Sequence, residues 1–233
     1  MQRKHVVTLV ATSVLAVLTA SAPALAGTPA TVSVRVEGAT STLLPLTTVT
    51  TNNTVTPPPG SCPGTTAAGA LQLATEGNWD HEEYIRTILG ETHEWTMGDP
   101  RYWALWINDK YAEEGACTLQ MHEGDRLLFL VDKATAPEYT PTVLPLELSG
   151  APTEIAQGGS ATVTVDKYST AGVASAASGV AVKGGEATVT TNASGQATVK
   201  FATVGTAHLR GTKSGFAPTA SVAVCVHVSG GHC

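Results

Sequence analysis

Short segments in which apolar and polar residues alternate recur about every ten residues in the second half of the chain. Successive side chains of a strand point to opposite faces, so alternation predicts half-buried strands rather than helices. The segments are PLELSG (145–150), SATVTV (160–165), GVAVKG (179–184), EATVTT (186–191), QATVKF (196–201), TAHLRG (206–211) and SVAVCV (221–226). About seven short strands at this spacing are typical of an immunoglobulin-like β-sandwich.

The first half of the chain combines strand patterns with one helical pattern. In TVSVRV, Val32, Val34 and Val36 share one face of a strand. The further predicted elements are a second strand at 43–50, a short helix at 65–77, and strands at 83–90, 102–107 and 125–131. The order of hairpin, helix and further strands predicts a β-grasp-like α+β domain, and the whole chain is therefore mainly β.

The first 26 residues have the pattern of a secretory signal peptide. Arg3 and Lys4 precede an apolar stretch from 6 to 18, and Ala24-Leu25-Ala26 supplies small residues for cleavage. The apolar stretch is short for a membrane span and no second one follows. We expect a secreted, extracellular protein without a transmembrane segment in the mature chain.

Charge divides the remaining chain into two predicted domains, 27–140 and 141–233. The first holds 15 acidic and 6 basic residues, the second 4 acidic and 5 basic ones. Pro137, Pro141 and Pro145 mark a linker or domain edge between them. The acidic balance argues against nucleic acid as a partner, because nucleic-acid binding needs a basic surface.

All four cysteines follow the predicted signal peptide, which suits an oxidising compartment. Four cysteines allow three connectivities. Cys62 and Cys117 lie at either end of the acidic region and Cys225 and Cys233 near the C-terminus. This distribution favours the pairs Cys62–Cys117 and Cys225–Cys233.

No segment has the pattern of a catalytic or metal site. HEEYI (81–85) begins like a zinc-binding helix motif, but Ile85 stands where the second histidine belongs. His81, His93 and His122 are interpreted as solvated surface residues, and the surrounding acids as a solubilising face. We therefore predict no enzyme activity, no metal and no cofactor.

Strand alternation separates YWALWI (102–107) into two faces. Trp103, Leu105 and Ile107 form a wholly apolar face, which predicts core beneath the helix. The opposite face carries Tyr102, Ala104 and Trp106. Tyrosine and tryptophan are favoured where one side of a ring stays in water, which favours a binding surface.

All four tryptophans lie between Trp79 and Trp106, and Trp79 and Trp95 occupy loops rich in polar residues. We predict a partly exposed aromatic platform that binds a ligand, formed by Tyr102, Trp106, Trp95 and Trp79. The alternative is that Trp106 packs under a loop or under the second domain.

Residues 30 to 133 resemble the transcobalamin-like C-terminal domain family. The resemblance rests on VSVRVEG, on the TLL to TVTT hairpin, on the alanine-rich helix, on YW followed by an asparagine turn, and on EGD before the last strand. The second domain is similar to bacterial Ig-like domains through TNASGQATVKF and GTAHLRGTKSGF. In transcobalamins the related domain caps one face of the corrinoid, so the resemblance implies binding without catalysis.

The expected function is that of an exported, non-catalytic protein that binds an extracellular ligand or surface polymer. It would act as a monomer, either free or loosely associated with the cell wall. A small-molecule carrier that holds a corrinoid-like ligand on the aromatic platform is the first alternative. A purely structural or adhesive spacer is the second.

Overall fold

The computed structural model describes residues 27–96, 98–134 and 140–233, and the predicted signal peptide and Pro137 lie outside these ranges. The first part of the chain contains β1 (Thr31–Glu37), β2 (Thr42–Thr50), α1 (Ala67–Ala74), β3 (Thr87–Ile88), β4 (Glu91–Thr92), β5 (Arg101–Ile107), β6 (Lys110–Tyr111) and β7 (Arg126–Lys133). The second part contains β8 (Leu144–Ser149), β9 (Glu154–Ala156), β10 (Ser160–Tyr168), β11 (Ala174–Ala176), β12 (Ala181–Lys183), β13 (Val189–Thr190), β14 (Gln196–Lys200), β15 (Gly205–Thr212), β16 (Phe216–Ala217) and β17 (Val222–His227). The prediction of a mainly β protein is confirmed.

The first sheet has the strand order β2-β1-β7-β5-β6. Strands β1 and β7 run parallel at its centre, and the other neighbours are antiparallel. With α1 between the opening hairpin and the later strands, this is the β-grasp arrangement that the sequence predicts. The described helix has eight residues, and no helix among the described residues is a candidate for a membrane span.

Helix α1 packs closely against the sheet because its buried positions are small. Ala67, Ala68 and Ala70 are fully buried. A Cβ atom added at Gly69 would collide with the carbonyl oxygen of Gly64, so only glycine fits there. Together with the valines of β1 and with Trp103, the helix forms the first apolar core.

Both predicted disulfides are confirmed. Cys62 is bonded to Cys117, with their Cα atoms 4.8 Å apart, and the bridge belongs to the first core. Cys225 is bonded to Cys233, with their Cα atoms 6.4 Å apart, at the end of the last strand. Each bridge therefore joins residues within one half of the chain.

The second half forms two five-stranded sheets, one around β10 and β8 and the other with the order β13-β12-β15-β17-β9. Their inner faces share one apolar core, which includes Leu146, Val163, Phe201, Leu209 and Val224. The alternating residues of the sequence supply this core, and the architecture is the predicted sandwich. The short strands β9, β11 and β16 were not expected from the sequence.

The predicted strand at 83–90 is wrong. Only Thr87–Ile88 is a strand, and it pairs with Glu91–Thr92 across a tight turn at Leu89 and Gly90, both of which have positive φ. Before it, the carboxylate of Asp80 accepts hydrogen bonds from the backbone N–H groups of Arg86 and Thr87. A side chain that satisfies backbone donors in this way competes with strand pairing, so the segment remains a loop.

The two halves meet on the face of the first sheet opposite α1. A third apolar cluster there joins Ala104, Trp106, Leu128 and Leu130 to Ala217 of β16. No sequence pattern predicts this contact, because Ala217 lies 87 to 113 residues further along the chain than the other four residues.

An ion-pair network borders this contact. Glu37 is buried, and its carboxylate accepts hydrogen bonds from Arg35 at 3.2 Å and from Arg210 at 3.1 Å. Arg35 also donates to the carbonyl oxygen of Pro218 at 2.6 Å. Burial lowers the pKa of Arg35, and the neighbouring carboxylate of Glu37 opposes this shift. Both halves therefore contribute charges to one buried network.

The end of the predicted linker is held in place. The buried carboxylate of Asp132 accepts hydrogen bonds from the backbone N–H groups of Thr142 and Val143 at 3.0–3.2 Å. Pro145 is the second residue of β8 rather than part of a linker. Residues 142 to 145 thus connect the first sheet directly to the sandwich.

Candidate functional site

The hairpin turn after β5 determines which side chains surround the site. Asn108 and Asp109 have φ values of 48° and 64°, as a two-residue turn of type I′ requires. The Asn108 side chain fixes this turn, because it donates to Asp125 at 2.7 Å and accepts from the backbone N–H of Arg126 at 2.9 Å. The turn places Tyr111 opposite Trp106.

The alternation predicted for β5 is confirmed. Trp103 and Leu105 are buried in the core below α1, and Ile107 packs against that core. The indole N–H of Trp103 donates to the carbonyl oxygen of Arg86 at 3.0 Å. On the other face, Trp106 is buried in the cluster between the two halves.

The expectation that Trp106 is partly exposed is wrong. Only 1% of its surface is accessible, because Ala217 of the second half and Leu128 and Leu130 of β7 cover the indole. The alternative, that Trp106 packs under the second domain, describes its position. A ligand cannot reach this side chain while the two halves are in contact.

Trp79 is also buried rather than exposed. It is 5% accessible, and its indole N–H donates to Gln72 of α1 at 2.8 Å. Trp95 is 37% accessible and donates to the carbonyl oxygen of Ala134 at 2.9 Å. The four predicted ligand-binding residues therefore do not form one platform.

Of these four, Tyr102 lines a surface groove of about 190 Å3. We call this site the tyrosine groove; its main lining residues are Tyr84, Ile85, Tyr102, Trp103, Tyr111 and Ala112. Tyr84 stands at its rim with 56% of its surface exposed. Leu105 and Phe129 close the base, and Glu83 and Glu114 flank the opening.

The pKa values of Tyr84 and Tyr102 are both raised, and Tyr111 contributes to both shifts. Burial raises the pKa of Tyr102 far above its ordinary value, and a hydrogen bond with Tyr111 adds to this shift. Burial also raises the pKa of Tyr84, with a contribution from Tyr111. An ordinary tyrosine is already protonated at neutral pH, so these shifts extend the range in which Tyr84 and Tyr102 keep their protons into more alkaline solution.

The main chain of β5 is open along the tyrosine groove. On this edge, the carbonyl oxygen of Arg101 accepts a hydrogen bond from the backbone N–H of Trp95, at 2.9 Å. The carbonyl oxygen of Leu105 accepts one from the backbone N–H of Ala112, also at 2.9 Å. The backbone of Trp103 faces the same edge between them, and no described strand pairs with it there. The groove thus combines aromatic rings with a peptide group that faces it.

Sequence reasoning missed Tyr84 and Tyr111. Tyr84 was assigned to a strand that does not exist. Tyr111 had a usable signal, because a two-residue turn at Asn108 and Asp109 pairs Trp106 with Tyr111.

The three histidines of the first half are separate, and one of them differs from the expectation. His93 is buried rather than solvated, with its Nε2 atom 2.7 Å from Glu91. His81 contacts Gln72 at 2.9 Å, and His122 has a side chain that is 80% exposed. Within the described ranges, no three His, Cys, Asp or Glu side chains are grouped as metal ligands.

Comparison with known proteins gives one match. No curated protein and no solved structure matches the chain significantly. The matching family model is described as a domain of unknown function, DUF4430. The match covers residues 64–133, from the loop before α1 to the end of β7, so this part of the chain contains a DUF4430 domain.

Proposed function

We propose that this is an exported, non-catalytic binding protein that holds part of an extracellular ligand or surface polymer in the tyrosine groove. One observation carries the proposal: Tyr84 stands 56% exposed at the rim of a groove that is also lined by Tyr102, Trp103 and Tyr111. Aromatic side chains provide large contact areas at low entropic cost, and they dominate many binding energies.

The size of the groove limits what enters it. Pockets for drug-sized ligands have about 300–1,000 Å3, whereas this groove has about 190 Å3. It suits a single ring or one side chain of a larger molecule. Because Glu83 and Glu114 flank the opening, we propose that the entering group is neutral or cationic rather than anionic.

Two kinds of contact support binding in the tyrosine groove. The phenol rings offer faces for a sugar or aromatic ring, and the hydroxyl of Tyr84 offers a donor, whereas that of Tyr102 is hydrogen-bonded with Tyr111. The backbone of Trp103 adds a further donor and acceptor at the open edge of β5. Both phenols are protonated at neutral pH, as an ordinary tyrosine is.

We further propose that residues 30 to 133 are a transcobalamin-like C-terminal domain and that residues 141 to 233 are a bacterial Ig-like domain. A corrinoid-like ligand is the alternative occupant, and only an edge of it would enter a groove of about 190 Å3. The Ig-like domain would act as a spacer, with the protein free outside the cell or loosely associated with the wall.

A fluorescence titration of the full chain tests this proposal. Trp103 lies in the groove, so its emission should change when cyanocobalamin, chitooligosaccharides or peptidoglycan fragments bind. For whichever probe binds, Tyr84→Ala should weaken binding about tenfold or more. Trp95→Ala removes a comparably exposed aromatic outside the groove and should leave the affinity unchanged. Loss of binding in Trp95→Ala but not in Tyr84→Ala would place the site elsewhere.

A further inference from the structure

A second and larger cleft lies where the two halves of the chain meet. Its volume is about 660 Å3, within the range of about 300–1,000 Å3 that is typical of small-molecule sites. The turn between β1 and β2 forms one wall, and the segment from Thr212 to Pro218 forms the other. Leu130, Val143 and Phe216 give it an apolar part.

Three cations line this cleft, which we call the cationic cleft: Lys183, Arg210 and Lys213. The only carboxylate in its described lining is Glu37, which leaves the lining with a formal charge of +2. The chain as a whole carries a net charge of −6. The cleft is therefore a local concentration of positive charge on an acidic protein, and such a field attracts anions.

Strand register places two of these cations side by side. Lys183 of β12 pairs directly with Arg210 of β15. Like charges opposite each other in a sheet are destabilising. Among the described residues Lys183 makes no ion pair, while Arg210 shares Glu37 with Arg35. The carboxylate of Glu37 alone therefore does not neutralise these cations. An anion bound between Lys183 and Arg210 would relieve the repulsion between them.

The contacts of Arg210 leave its Nε–H group without an acceptor. Its Nη2 atom donates to Glu37 at 3.1 Å and also to the hydroxyl of Thr42. Its Nε atom is buried and has no hydrogen-bond partner. A buried donor without an acceptor is costly, so the ion-pair network holds Arg210 beside the cleft at some cost in stability.

Lys213 is held in position at the other wall. Its Nζ atom donates to the carbonyl oxygen of Ser178 at 2.7 Å and lies 5.3 Å from the centroid of the Phe216 ring. These two contacts fix the ammonium group beside Phe216, which also lines the cleft. A cation that is already positioned loses little conformational freedom on binding.

We propose that the cationic cleft binds a small hydroxylated anion, of the class of acidic sugars and sugar phosphates. Lys183, Arg210 and Lys213 would bind the carboxylate or phosphate, since both groups accept charge-assisted hydrogen bonds. Thr40, Ser41 and Ser214 line the same cleft and would bind the ligand hydroxyls. This site shares no residue with the tyrosine groove, so it is independent of the function proposed above.

Calorimetric titration of the full chain at low ionic strength tests the proposal with glucuronic acid, glucose 6-phosphate and glucose as probes. The two acids should bind and glucose should not, and the tighter acid identifies the preferred anion. Lys183→Gln and Lys213→Gln should each weaken binding of that acid about tenfold. Lys183 is exposed, so its replacement leaves the fold intact.

Two matched controls complete the experiment. Lys200→Gln removes an exposed lysine outside the cleft, and Tyr84→Ala alters only the tyrosine groove; neither should change the affinity for the acid. The proposal is overturned if neither acid binds or if glucose binds as tightly as the acids. It is also overturned if Lys183→Gln and Lys213→Gln bind as the unaltered chain does.

Discussion

Trp106 lies edge-on to Tyr111, with their ring centroids 5.7 Å apart and the ring planes at 74°. The indole belongs to the buried cluster that contains Ala217 of the second half, whereas Tyr111 lines the tyrosine groove. Trp106 therefore supports one wall of the groove from behind and does not itself meet a ligand. Contact between the two halves and the shape of the groove are linked through this pair.

Replacement of Trp106 should destabilise the fold. Because the indole is 1% exposed, Trp106→Ala removes a large buried side chain and should lower the free energy of unfolding by about 3–5 kcal/mol, as Trp103→Ala should. Trp95→Ala, at a position with 37% exposure, should cost clearly less. Urea denaturation of the three variants makes the comparison. A cost below about 1 kcal/mol for Trp106→Ala would contradict the buried position.

The position of Trp106 shows what the sequence could and could not predict. Alternation in β5 correctly separated Trp103 from Trp106. It could not show what covers the second face, because that depends on Ala217 in a distant strand. Arg35 and Glu37 are a second example. Their positions in the sequence are typical of a solvated face, but contact with Arg210 and Pro218 buries them.

Loss of the Cys62–Cys117 bridge should destabilise the first half strongly. The bridge joins residues 55 positions apart, for which the chain-entropy estimate is about 4 kcal/mol. The Cys225–Cys233 bridge spans 8 positions and should contribute about 2.5 kcal/mol on the same estimate. Paired Cys→Ser variants and thermal unfolding measure both effects. A larger loss from the C-terminal pair would contradict this order.

The second domain should fold without the first. Its core is formed by residues between Leu146 and Val226, and all of them belong to the second half. A fragment of residues 143 to 233 should therefore be soluble and unfold in one cooperative thermal transition. Differential scanning calorimetry measures this transition. If the fragment is soluble only when joined to residues 27 to 142, the domain boundary is wrong.

Alkaline pH should destabilise the protein partly through Tyr102. Burial raises the pKa of Tyr102 in the folded state, so above about pH 10 its phenol ionises in the unfolded chain while it stays neutral in the folded one. The free energy of unfolding should then fall as pH rises. Tyr102→Phe should show a shallower fall than the unaltered chain in urea melts between about pH 9 and pH 12. Equal slopes would show that Tyr102 does not contribute.

The groove itself was only partly predictable. Asn108 and Asp109 are a strong local signal for a two-residue turn, and such a turn fixes the position of Tyr111. The position of Tyr84 follows instead from a loop held by the Asp80 carboxylate and from the turn at Leu89. The sequence of residues 83–90 alone favours a strand, and these interactions keep most of the segment a loop instead.

Fluorine NMR of the chain labelled with 3-fluorotyrosine tests whether the tyrosine groove is the binding site. Signals are assigned with single Tyr→Phe variants and followed during titration with a probe that binds in the fluorescence experiment. We predict that the signals of Tyr84, Tyr102 and Tyr111 shift with a common affinity, while that of Tyr168 in β10 stays unchanged. A shift of the Tyr168 signal alone, or binding without any change at the three groove tyrosines, would show that the ligand binds outside the tyrosine groove.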